Sequence, residues 1–264
     1  MSLLLQLWRS LPQPIRLLIS KAVQRNRRLY RWLLFRHVDA KDRVAGIADI
    51  PPCELRYRVS AEPDAEDFIR VGKQCANDIE SALRKVGHEL GSFTRILDFG
   101  CGCGRTLIYL KDLTPTAQID GTDIDQRAVA WCRQHLPFAR FSLSKEHPPI
   151  EYPSDVFDFI YAISVFTHLD EDYQFRWLAE LRRIAKPEAI LLLTVDSALV
   201  GEKDFVFQRS YEAGLFPAWY QNAFHSRAYV LANFGRYFEV LNYFPRGMNA
   251  HQDVVILQKR AFKA

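Results

Sequence analysis

The sequence predicts an α/β fold: a doubly wound, mostly parallel sheet with a helical extension at its start and an antiparallel hairpin at its end. Three observations predict it. Between about residue 61 and residue 195, short apolar runs rich in β-formers alternate with helical patterns. That alternation builds a parallel sheet with helices on both faces. A glycine-rich turn, Gly100-Cys101-Gly102-Cys103-Gly104, directly follows the first of these runs, Arg95 to Phe99. The chain then ends on two β-rich runs, Phe238–Phe244 and Asp253–Lys259, with only eight residues between them, including Pro245 and Gly247. A parallel crossover takes a dozen residues or more, so these two runs must pair antiparallel.

Taken in order, residues 1–60 read as a basic helical extension and residues 61–264 as the domain proper. Residues 1–38 carry eight basic side chains (Arg9, Arg16, Lys21, Arg25, Arg27, Arg28, Arg31, Arg36) and no acidic one. The formal charge of the whole chain is +4, so the other residues hold 35 − 8 = 27 basic against 31 acidic side chains. A basic segment with this much leucine and tryptophan can lie as a peripheral contact on an anionic membrane or dock on an acidic partner. The blander and favoured reading is a helix packed on the domain with its arginines in water. Asp49 to Ser60 contains Pro51 and Pro52 and reads as non-helical.

Pro63-Asp64 opens a helix whose apolar positions, Phe68, Cys75, Ile79, Leu83, Val86 and Leu90, recur at helical spacings until Gly91-Ser92. The first strand follows, then a helix over Arg105–Leu113 closed by Pro115. A second strand, Gln118–Asp123, leads to a helix from Gln126 carrying Val129, Cys132 and Leu136. The third strand is Ala139–Leu143 and the fourth lies in Asp155–Ala162. A helix bearing Tyr173, Trp177, Leu178, Leu181 and Ile184 precedes the fifth strand, Ile190–Val195. With the closing hairpin the sheet has seven strands.

An aromatic insert at about 196–234 holds Phe205, Phe207, Tyr211, Phe216, Trp219, Tyr220, Phe224 and Tyr229. At the carboxyl edge of the sheet it can cover a ligand and line a pocket. Its rings can equally pack the insert onto the core.

Composition narrows the class. Hydrophobic residues make up 48% and charged residues 25%, ordinary globular values. The five cysteines, Cys53, Cys75, Cys101, Cys103 and Cys132, contain no C-x-x-C pair, so a reducing cytoplasm is expected rather than a disulfide framework. Cys101 and Cys103 lie between glycines, where small residues suit a tight loop, and no metal site is expected. No apolar run approaches the ~18 residues of a membrane-spanning helix, and no leader pattern stands at the amino terminus.

The glycine turn carries the functional reading. A dinucleotide fingerprint would be G-x-G-x-x-G. Here the order is Asp98-x-Gly100-x-Gly102-x-Gly104, with a second acidic residue, Asp123, ending the second strand. This pattern resembles motif I of the class I S-adenosylmethionine-dependent methyltransferases. Asp155-Val156-Phe157-Asp158-Phe159-Ile160-Tyr161-Ala162 resembles that family's fourth strand, and Ser164-Val165-Phe166-Thr167-His168-Leu169 the loop after it.

The resemblance implies the family's Rossmann-like sheet, S-adenosylmethionine as cofactor and methyl transfer as the reaction. It further implies a cofactor site made of Asp98, Gly100, Cys101, Gly102, Gly104, Asp123, Ile124, Ser144 and Ala162. Asp98 would orient the loop near the cofactor's amino group, and Asp123 would accept from the ribose hydroxyls. Ile124 would pack on the adenine with Ser144 at its edge, and Ala162 would sit beside the methionine portion. His168 is the candidate general base, with His225 and Tyr229 as rivals. The expected acceptor is a small molecule, a glycan or a lipid-linked group. Nucleic acid is not expected: Ala162-Ile163-Ser164-Val165 lacks the proline motif of amino-group DNA enzymes, and the only Pro-Cys is Pro52-Cys53. An NAD(P)-dependent oxidoreductase and a non-catalytic cofactor-binding protein are the alternatives.

Overall fold

The computed structural model describes residues 12–15, 26–47, 50–208 and 221–260. Its centre is a sheet of seven strands: β1 (Arg95–Phe99), β2 (Gln118–Asp123), β3 (Arg140–Leu143), β4 (Phe157–Ala162), β5 (Ala185–Val195), β8 (Glu239–Met248) and β9 (Gln252–Gln258), with β6 and β7 lying apart in the insert. The spatial order is β3-β2-β1-β4-β5-β9-β8. Only β9 runs against its neighbours, pairing antiparallel with both β5 and β8. The hairpin expected from the short final connection is therefore present.

Alternation along the strands makes two cores. Ile96 of β1, Phe159 and Tyr161 of β4, and Ile190 and Leu192 of β5 point to one face. Leu97 and Phe99, Ile160 and Ala162, and Leu191 and Leu193 point to the other. The first face is covered by α3 (Ala65–Arg84) and α4 (Gln126–His135). The second is covered by α5 (Glu171–Ile184) and α6 (Arg227–Phe234). A strand buried on both faces reads as a continuous apolar run, which is why these strands were legible.

Four boundaries differ from expectation. Residues 53–60 form a helix, α2 (Cys53–Ser60), despite the preceding prolines. Pro52 is its N-cap, where a missing N–H leaves nothing unsatisfied. Tertiary contacts hold it: Arg56 is fully buried and donates to Asp42 at 2.5 Å and to the Pro51 and Pro63 carbonyls at 3.0 Å each.

The run after the glycine turn is a 3-10 helix, Leu107–Leu113, rather than an α-helix. Confined between that turn and Pro115, it is too short to gain from α-helical propagation. Helix α3 stops at Arg84, before Gly87 at φ +83, so Leu90 is buried from a separate turn. Strand β5 begins at Ala185, five residues before the expected Ile190, with a register shift against β4 between Phe157 and Phe159.

Upstream, α1 (Arg27–Val44) packs on α2, with the Phe35 and Tyr57 rings 5.4 Å apart. The insert contains β6 (Phe205–Gln208) paired antiparallel with β7 (Asn222–His225), followed by α6. Tyr211, Leu215, Phe216, Trp219 and Tyr220 lie outside the described residues. No helix among the described residues is long and apolar enough to cross a membrane. All five cysteines are buried free thiols.

Candidate active site

Strand order reverses between β1 and β4, the switch point at which open α/β sheets bind their ligands. A cavity of about 1040 Å³ opens there. Asp98, Gly100, Cys101, Gly102, Asp123, Ile124, Ser144 and His168 all line it. Gly104 and Ala162 do not. A Cβ on Gly104 would lie 2.5 Å from the side chain of Leu136, the residue that caps α4. Ala162 is fully buried in β4, and its successors Ile163 and Ser164 reach the cavity instead.

The floor is built by backbone that only glycine suits. Gly100 has φ +82 and Gly102 φ +53, both left-handed. A Cβ on Gly100 would lie 2.2 Å from Val165, and one on Gly102 2.5 Å from Val59. The loop is tied to β2 from two sides. Its Gly100 and Cys101 amides donate to the Thr122 carbonyl at 2.8 and 3.0 Å. The Gly102 amide donates to Asp123 Oδ2 at 2.7 Å, while the Asp125 amide donates to Oδ1 at 2.7 Å. Two backbone donors thus fix the carboxylate, and an ionised carboxylate has lone pairs left for further donors.

Burial dominates the electrostatics. Asp98 is buried, and its pKa is pushed up to about 8 by desolvation, against the Tyr161 hydroxyl that donates to it at 2.8 Å. Burial raises Asp123 as well, opposed by its backbone donors. Two carboxyl groups held high in one cavity suit a ligand that brings positive charge.

On the opposite wall, Ser164 is left-handed at φ +58, its amide held by Thr194 Oγ1 at 2.8 Å and its hydroxyl by Gln252 at 3.1 Å. Strained backbone of this kind collects at functional sites. His168 Nδ1 lies 2.5 Å from the Gln221 carbonyl. A carbonyl can only accept, so Nδ1 carries the proton and Nε2 is the basic nitrogen. Burial holds the His168 pKa below its ordinary 6.5.

Neither rival base lines the cavity. His225 is fully buried, donates through Nε2 to Gln174 at 2.9 Å, and is pushed down to about 4 by desolvation. The Tyr229 hydroxyl donates to Glu171 at 2.6 Å. The insert's described rings divide between the two roles. Phe207 and Phe224 line the cavity, whereas Phe205 and Tyr229 stack 5.3 Å apart beside His225.

Several lining residues carried no signal in the sequence. Arg58 and Val59 come from α2, where no helix was expected, and Asn222 from β7. Met248 and Gln252 flank the β8–β9 turn. Arg105, next to the last glycine, could have been found by adjacency alone. Among the described residues no group of three His, Cys, Asp or Glu side chains is placed to hold a metal ion.

Residues 97–191 match the family described as "Methyltransferase domain". A methyltransferase domain therefore lies within the chain, and it spans the glycine loop and the strands on either side of the cavity. It is 44% identical over 50 residues to a trans-aconitate 2-methyltransferase of Variovorax paradoxus, a stretch covering 19% of each chain. It is 26% identical over 146 residues to phthiotriol/phenolphthiotriol dimycocerosates methyltransferase 1 of Mycobacterium ulcerans, covering 54% of this chain and 49% of that one. The chain thus spans about half the length, or less, of these curated relatives. Its fold is shared with a TehB-like S-adenosylmethionine-dependent methyltransferase from Corynebacterium glutamicum at a TM-score of 0.51 and 21% identity, covering 78% of this chain and 94% of that one. The residues present fit a sulfonium cofactor: a left-handed glycine floor, a backbone-fixed acidic residue at the end of β2 and, in Asp98, a buried carboxyl that a cationic ligand would meet.

Proposed function

We propose that this chain transfers the methyl group of S-adenosylmethionine to a small-molecule, glycan or lipid-linked acceptor. One observation carries the reading. The cavity floored by the glycine loop is also lined by Phe207, Asn222 and Phe224 of the insert. At about 1040 Å³ it stands at the top of the ~300–1000 Å³ range of ligand clefts, enough for donor and acceptor side by side.

When bound, the cofactor supplies a methyl carbon already activated by its sulfonium. The protein's own task is alignment, which can contribute up to ~7–11 kcal/mol. Gly100 and Gly102 would let the loop pass close to the donor, and Asp123 would accept from its ribose hydroxyls. Asp98 would hold its amino group, and Ile124 and Ser144 would hold the base. Gly104 and Ala162 support this site from behind, packing α4 and β4 into place. His168 Nε2 takes the acceptor's proton where the acceptor atom is too basic to lose it unaided. Phe207 and Phe224 form the apolar wall against which the acceptor lies.

The test is titration calorimetry with S-adenosylmethionine, its demethylated product and NADH. Binding of the first two and silence with NADH are expected, and Asp123→Ala should remove the signal. Affinity for NADH alone would assign the cavity to redox chemistry instead. Methyl release from labelled donor in the presence of candidate acceptors then separates an enzyme from a protein that only binds.

A further inference from the structure

The outer face of α1 matches nothing in the site. Leu29, Trp32, Leu33, Arg36, Ala40 and Val44 recur at spacings of three, four and seven, so they form one stripe along the helix. All six are exposed, with Leu29, Trp32 and Leu33 about half accessible and Val44 at 91%. The opposite face anchors the helix. Phe35 meets Tyr57, Asp39 accepts from the Cys53 amide at 2.7 Å, and Asp42 pairs with the buried Arg56. Both carboxylates of α1 are therefore turned inward, and the charge on the outer side is cationic. The Arg36 guanidinium sits over the Trp32 ring, 4.8 Å from its centroid, and Tyr30 is exposed at the edge of the stripe.

We propose that α1 docks on the surface of an anionic lipid bilayer. An apolar stripe bearing tryptophan, edged by tyrosine and arginine, is built to lie in the headgroup region with its rings at the boundary and its cations among lipid phosphates. The charge of residues 1–38, eight basic and none acidic, selects the occupant. A second copy would bring the same patch against itself, as two-fold contacts do, setting like charge against like. A bilayer surface of opposite sign has no such conflict. Helix α2, to which α1 is fastened, carries Arg58 and Val59 into the cavity wall, so docking would fix the cavity at a set position relative to the lipid surface. The inference does not rest on methyl transfer, since a protein without turnover would dock equally well.

The test is flotation of the full-length protein with vesicles of phosphatidylcholine alone and of phosphatidylcholine with phosphatidylglycerol. The protein should float only with the anionic vesicles and be released by salt on the order of 0.5 M. Leu29→Gln, Trp32→Gln and Leu33→Gln combined should lower the bound fraction by about tenfold or more. Unchanged circular dichroism and unchanged binding of the demethylated cofactor product by that variant show that it is folded. Recovery of the wild type in the soluble fraction with both vesicles would overturn the proposal, as would flotation of the triple variant at the wild-type level. A wild-type dimer in light scattering that the triple variant turns into a monomer would place a second copy on the stripe and overturn it too.

Discussion

Asp98 links the site to the stability of the fold. Its pKa is held at about 8 in the folded chain against 3.8 for a free aspartate, chiefly by burial. Between those values the folded state keeps a proton that the unfolded state has lost. The stability it contributes is whole below the unfolded value and is lost as pH rises through the folded one. Asp98→Asn keeps an acceptor for the Tyr161 hydroxyl but cannot titrate. Thermal melts from about pH 5 to about pH 8 should therefore fall less steeply in the variant than in the wild type. Asp123, shifted the same way, leaves some slope behind. His168 gives the opposite signature in catalysis. Burial lowers its pKa, so Nε2 stays unprotonated below the ordinary 6.5, and an acid limb in turnover should lie under that value. His168→Asn should flatten this limb with an acceptor that needs a base. A rate unchanged across pH would remove His168 from the mechanism.

At the scale of elements, α3 and the segment after the glycine loop form a tight backbone joint near the site. A Cβ on Gly72 would stand 2.2 Å from the Arg105 carbonyl oxygen, which is backbone and cannot swing away. Gly72→Ala should destabilise the fold by about 1–3 kcal/mol in urea melts and weaken cofactor binding with it, because the displaced segment continues the loop floor. Little of this joint was legible beforehand. The apolar positions Phe68, Cys75, Ile79 and Leu83 announced the helix, since helical spacing is a local property. Gly72 carries no signal in the sequence, because what confines it is the backbone of another segment. Helix α2 escaped notice for a related reason: its main anchor, Arg56, satisfies groups at positions 42, 51 and 63, and no local pattern encodes that convergence.

For the whole molecule, the strand order concentrates burial in β1, β4, β5 and β9, which occupy the centre of the sheet with helices on either face. Native-state hydrogen exchange should find the slowest amides there. The fastest among the described helices should be in the amino-terminal half of α1, where Leu29, Tyr30, Trp32 and Leu33 are exposed. Equal protection of α1 and the central strands in dilute protein without lipid would contradict this distribution.

The sequence by itself determined the sheet, its closing hairpin and the glycine loop that floors the cavity. Each is written in neighbouring residues: apolar runs for strands, a short connection for antiparallel return, and glycine where φ must be positive. Tertiary structure alone decided the rest of the cavity lining, to which Arg58, Asn222 and Gln252 come from three remote segments, and the division of the insert's rings between cavity and core. It also decided which face of α1 is left bare. These depend on which surfaces come together once the chain has folded, and no stretch of residues states that in advance.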